Sequence, residues 1–147
     1  VTDKNTKDKE FLSKKEYELL SAFRYSIRQF LKFSESAAEA EGLTPNQHQA
    51  LLAIKGFPGR NSVTNGELAE QLQIRHHSAV GLLNRLEALS LVYREQNSRD
   101  RREVSVFLTN RGEKLLEKLT DVHREELKTL APQLIAIFEG LKQSPQS

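Results

Sequence analysis

The 147-residue chain contains no cysteine. That excludes disulfides, thiolate catalysis and cysteine-based redox sensing by its own residues. No apolar run is long enough to span a bilayer and no signal-peptide pattern is present, which points to a cytoplasmic protein with no membrane partner. Glycine-rich phosphate loops, H-E-x-x-H and G-x-S-x-G are all missing, and the serines, histidines and aspartates are scattered. An enzyme is therefore not expected, and neither is a cofactor. Lysine is absent between Gly56 and Glu113, where every basic residue is an arginine.

That window holds Arg60, Arg75, Arg85, Arg94, Arg99, Arg101, Arg102 and Arg111, while all 11 lysines lie outside it. A guanidinium is a planar fork that grips phosphate or a guanine edge through two parallel hydrogen bonds, whereas an ammonium is a point charge. From Arg75 to Arg102 six arginines face Glu87, Glu95 and Asp100, a local net of +3 against +2 for the whole chain. A solvated basic surface would look the same in isolation; combined with the elements below, a phosphate-facing surface is favoured.

Apolar residues Tyr17, Leu20, Phe23, Ile27, Phe30 and Leu31 recur at helical spacing, and neither proline nor glycine interrupts from Ser13 to Glu41. Such a helix is long for this chain, and its aromatic stripe needs a partner. Thr44-Pro45-Asn46-Gln47 is a capping box with proline at the first helical position, opening a helix to Lys55. Thr64-Asn65-Gly66-Glu67 is a second box, opening a short helix with Leu68, Ala69 and Leu72 inward. After a break at Gln73 or Ile74, a helix from His76 to Ala88 should bury Ala79, Leu82, Leu83 and Leu86. Two short helices around a tight turn make a helix–turn–helix unit. Leu91 to Arg94 and Glu103 to Leu108 read as strands joined by a seven-residue polar tip, long for a hairpin connection. Thr109 then caps a helical stretch that Pro132 is expected to divide into two helices. The terminal stretches, residues 1–10 and Gln143 to Ser147, are polar and expected to be frayed.

These elements predict a mainly α fold: a winged helix–turn–helix with a two-strand β wing between long N- and C-terminal helices. Its expected divisions are an N-terminal dimerisation helix to residue 43, a DNA-binding domain over 44–112 and C-terminal dimerisation helices over 113–147. The His76 helix is the expected recognition helix, because the first residues of the second helix meet base edges in such units. Arg75, His76, His77 and Ser78 occupy that position, and the face away from the buried stripe adds Val80, Gly81, Asn84 and Arg85. Val80 suits a thymine methyl, although it would equally pack under the wing. Arg99, Arg101 and Arg102 in the wing suit phosphates or a narrow minor groove. Asp100 repels phosphate, so it is expected to organise the wing turn by capping it and pairing with a neighbouring arginine. His48 and His123 read as hydrogen-bonded core histidines. Neighbouring His76 and His77 point about 100° apart on a helix, and no metal site is expected.

The string from Glu67-Leu68-Ala69 through Leu86-Glu87, Leu91-Val92 and Asp100-x-Arg102 to Leu108-Thr109-x-x-Gly112 closely resembles the MarR family of bacterial transcription regulators. The resemblance spans roughly Leu20 to Phe138 and implies that Asp100 and Arg102 are the matched pair that organises the wing. It implies a homodimer whose first and last helices interlock, binding a pseudo-palindromic operator in double-stranded DNA, usually as a repressor. It also implies release by a small aromatic or phenolic ligand, for which Arg24, Tyr25 and His48 are the expected lining residues. Ser90 stands where a glycine is common in the family, predicting a slightly strained turn into the wing. Val80 and Gly81 replace polar or basic residues, so no operator sequence transfers. The absence of cysteine excludes the thiol-based peroxide sensing of some relatives. A rival from another class is a winged helix serving only dimerisation or protein interaction, which the arginine-only window disfavours.

Overall fold

Helix starts in this chain are written in side chains. The computed structural model describes residues 13–97, 99–100 and 102–143. Within it, helix α1 runs Lys14–Ala40, α2 Pro45–Lys55, α3 Asn65–Leu72, α4 His76–Ala88 and α5 Asn110–Lys142, with strands β1 Ser62–Val63, β2 Val92–Gln96 and β3 Val104–Leu108. Both capping boxes form. The Thr44 hydroxyl accepts from the Gln47 amide at 3.2 Å, and the Gln47 side chain accepts from the Thr44 amide at 3.0 Å. Thr64 and Glu67 repeat the exchange at 3.2 and 2.9 Å. Each box satisfies two amides that a helix start otherwise leaves unpaired.

The ends of α1, α3 and α4 follow one geometry. Gly42, Gln73 and Ser90 all have left-handed backbone, with φ of 78°, 54° and 61°. The following amides, of Leu43, Ile74 and Leu91, turn back to the carbonyls of Ala38, Ala69 and Leu86 at 2.9, 3.0 and 3.0 Å. This is the Schellman closure, and two of its three instances place a non-glycine residue where glycine fits without strain.

The strands form one antiparallel sheet in the order β1-β3-β2. Val92 faces Leu108, Arg94 faces Val106 and Gln96 faces Val104 across the hairpin. The expected two-strand wing is thus extended by β1, which pairs Ser62 with Phe107 and Val63 with Val106. Two residues are too short to show an alternating pattern, but Val63 is fully buried and anchors the third strand.

The described chain forms two compact units, one of residues up to 34 with those from 123 onward, the other of residues 35–122. The second unit holds the larger core: Leu51, Ile54, Val63, Leu68, Leu83, Leu86 and Val106 are all fully buried. It also takes in Ala38 from α1 and Leu116 and Leu119 from α5, so its limits reach beyond residues 44–112 at both ends.

The first unit packs aromatics around one histidine. Phe30 and Phe33 present edges to His123 at 5.9 and 5.4 Å, and His123 Nε2 lies 2.8 Å from Ser34 Oγ. Phe23 meets Phe138 at 5.6 Å. Contrary to expectation, α5 continues through Pro132 as one 33-residue helix. A helical proline costs about 3 kcal/mol. Pro132 is exposed, while Leu130 and Ile137 on either side are buried. Burial of such a side chain contributes about 1.5–3 kcal/mol, enough for the pair to hold the helix together. The α1 stripe is covered only in part, because Tyr17 and Leu31 are both 58 % exposed.

Candidate nucleic-acid interface

Helix α4 begins differently from α2 and α3. Its N-cap, Arg75, makes no side-chain capping bond, and no acidic residue lies in its first turn. The first amides of the helix are thus left without a side-chain acceptor, at the positive end of the helix dipole. Arg75, His76, His77 and Ser78 are all exposed there. The sequence-based stripe holds: Ala79, Leu82, Leu83 and Leu86 are the buried residues of α4. With that side buried in the core, the opposite side presents Asn84 and Arg85 to solvent, and Val80 and Gly81 half-buried. A groove of about 630 Å³ runs between the α2 start and α4, bounded by Thr44, Asn46, Ile74, His77, Ser78 and Arg85.

The turn ahead of α3 is braced by charge. Arg60 sits 4.4 Å above the Phe57 ring and pairs with Glu67. Partial burial pushes the Glu67 carboxyl up, but the Thr64 amide and the Arg60 guanidinium outweigh it, and the net shift is below the usual carboxylate range.

The wing tip is closed by local bonds. The Asn97 amide donates to the Glu103 carbonyl at 2.9 Å, and its side-chain nitrogen reaches the Glu103 carboxylate at 3.2 Å. Asn97 Oδ1 accepts from the Arg99 amide at 3.0 Å. Asp100 Oδ1 accepts from the Arg102 amide at 2.9 Å, so the Asp100–Arg102 pairing runs through the backbone and not through the guanidinium. That leaves the exposed Arg99 and Arg102 side chains outside the clasp. Arg101 lies outside the described residues, as do the terminal residues 1–10 and 144–147.

The wing base is locked to α5 by the Leu-Thr-x-x-Gly string. Thr109 donates its amide to the Leu91 carbonyl at 3.0 Å and its hydroxyl to the Ser90 carbonyl at 2.6 Å, while that hydroxyl accepts from the Gly112 amide at 3.0 Å. A Cβ on Gly112 would stand 2.2 Å from the Leu91 oxygen, so only glycine allows this approach.

Asn97 and Glu103, which the sequence did not mark, and Arg94, marked only as one arginine of the lysine-free window, shape this surface. Arg94 bonds Asn84 from ten residues away, and such a contact has no local signature. The expected ligand residues are not gathered by any one unit. Arg24 and Tyr25 are exposed on α1 in the first unit, and His48 is buried on α2 in the second. Among the described residues no group of three or more His, Cys, Asp or Glu is placed to hold a metal ion. None of the described helices is long and apolar enough to cross a membrane.

A helix pair with an uncapped second helix, followed by a braced β hairpin on a three-stranded sheet, defines a winged-helix protein. The MarR family profile matches residues 41–103. Similar proteins include the HTH-type transcriptional repressor MdtR of Bacillus subtilis, 30% identical over 81 residues, 55% of this chain and 50% of that protein. The transcriptional activatory protein BadR of Rhodopseudomonas palustris is 34% identical over 88 residues, 60% of this chain and 50% of that one. The chain therefore spans about half the length of these two relatives. The solved MepR–DNA complex of Staphylococcus aureus is 28% identical, with a TM-score of 0.65 over 76% of this chain and 81% of that chain. Over these residues the chain is similar to the MarR family.

Proposed function

We propose that this chain is a sequence-specific regulator of transcription that binds double-stranded DNA as a homodimer, without catalytic activity, and acts as a repressor released by a small aromatic or phenolic molecule. The observation that carries the DNA reading is the start of α4, where uncapped amides and exposed Arg75, His76, His77 and Ser78 stand together on the helix that Arg94 of the wing hairpin also bonds. Amides and dipole favour a phosphate, and the side chains suit base edges. The MepR–DNA complex supports the same use of the fold. Dimerisation is supported by Tyr17, Leu20, Leu31, Ile135 and Phe138, which a single chain leaves between 47% and 58% exposed.

Fluorescence anisotropy on a labelled random duplex, repeated over a salt series, tests the charge term. Affinity should fall linearly in log–log form as salt rises, because bound arginines release counterions. A folded protein that shows no binding at low salt would instead favour the interaction-module reading. Sedimentation equilibrium should give twice the 16.8 kDa chain mass. Titration of aromatic and phenolic acids into the complex should release DNA if one of them binds the DNA-incompetent form more tightly.

A further inference from the structure

One guanidinium joins the wing to the recognition helix. Arg94 on β2 donates from Nη2 to Asn84 Oδ1 at 2.8 Å, and its Nη1 lies 3.2 Å from Glu87 Oε1. Asn84 and Glu87 are three residues apart, so both sit on one strip of α4. The Arg94 side chain is only 24% exposed, which holds the fork in place. A guanidinium has donors and no acceptor, so the carboxamide atom that faces it is the oxygen. The amide nitrogen of Asn84 is then left on the side away from Arg94. Asn84 is exposed and lies on the same helical strip as His77, Val80 and Gly81.

We infer that Arg94 is a specificity-determining positioning residue. By engaging the Asn84 oxygen it sets that amide as an outward donor, so the base pair facing Asn84 is selected for acceptors in the major groove. Guanine O6 and N7, adenine N7 and thymine O4 supply them, whereas cytosine presents only its N4 amino donor. A freely turning asparagine can face that amino group with its oxygen and accept from it. Held by Arg94, the oxygen is turned toward the wing and the amide meets the cytosine amino group with its own N–H. This inference rests on the DNA-binding reading above.

Selection from a random duplex library with the full chain and with N84A, R94M and R94K tests it, with each variant's melting curve recorded. The unaltered chain should show one position per half-site where cytosine is disfavoured about tenfold against the other bases, the scale of one mismatched base pair. N84A should erase that preference. R94M should bring cytosine to within about twofold at that position and leave the other positions unchanged. R94K keeps a donor and should keep the original preference. If R94M instead weakens all sequences alike, or if N84A leaves the selected motif unchanged, the inference is overturned while DNA reading stands. If the unaltered chain enriches no sequence, the DNA reading falls and takes this inference with it.

Discussion

Replacing Gly112 with alanine should destabilise the protein through space alone. The added carbon would stand 2.2 Å from the Leu91 carbonyl oxygen and 3.1 Å from its carbon. A relaxed contact needs roughly one ångström more than the first distance, and the obstacle is backbone, which cannot rotate away as a side chain can. The same oxygen accepts from the Thr109 amide at 3.0 Å, and the Thr109 hydroxyl holds the neighbouring Ser90 carbonyl at 2.6 Å. Moving the strand therefore strains two hydrogen bonds. Overpacking costs about 1–3 kcal/mol and each lost bond about 1 kcal/mol. Alanine's better helix propensity returns up to about 1 kcal/mol. The net expectation is a loss of about 2–4 kcal/mol, or roughly 5–15 °C in melting temperature for a chain of this size. Thermal unfolding followed by circular dichroism measures it. Gly66→Ala is the control: it is also helical, but nothing lies within 4 Å of its added carbon. It should melt at or slightly above the original temperature. A Gly112→Ala variant melting within about one degree of the original chain would refute the steric reasoning.

Three further outcomes follow from the same structure. Ser90→Gly should raise stability by about 0.5–1 kcal/mol, because φ of 61° costs any residue with a Cβ; urea midpoints measure it, and a lowered midpoint would contradict it. The Glu67 carboxyl has a folded pKa below its unfolded value, so its contribution to stability is fully present above the unfolded value and is lost as pH falls through the folded one. Stability of the original chain should thus drop on the acid side of pH 4.5 more steeply than that of Glu67→Gln, and parallel acid limbs would refute the assignment. Substituting alanine for Arg99 and Arg102 together should weaken binding to all duplexes and lower the log–log salt slope by about two, since each phosphate contact contributes about one. An unchanged slope would remove the wing from the interface.

What was legible in the sequence was local. The two capping boxes placed the starts of α2 and α3, and the 3,1,3 spacing of Ala79, Leu82, Leu83 and Leu86 named the buried side of α4. The threonine and glycine of the Leu-Thr-x-x-Gly string were recognisable as a family signature, but their physical reason appears only when Leu91 is seen against Gly112. The features that escaped depend on distant partners. Strand β1 exists because β3 accepts it at Ser62 and Val63. Helix α5 runs through Pro132 because Leu130 and Ile137 are buried on both sides of it. Asn84 was legible as exposed, whereas its tie to Arg94 crosses from helix to wing. The expected Asp100–Arg102 link was found in the backbone, where an Asx turn needs no guanidinium.

Selection of genomic duplex fragments by the purified protein at near-physiological salt bears most directly on the proposed function. Two recognition helices in a dimer should recover an inverted repeat with half-sites about ten base pairs apart, centre to centre. A folded dimer that enriches no sequence would contradict sequence-specific DNA binding and shift the assignment to a protein-interaction module.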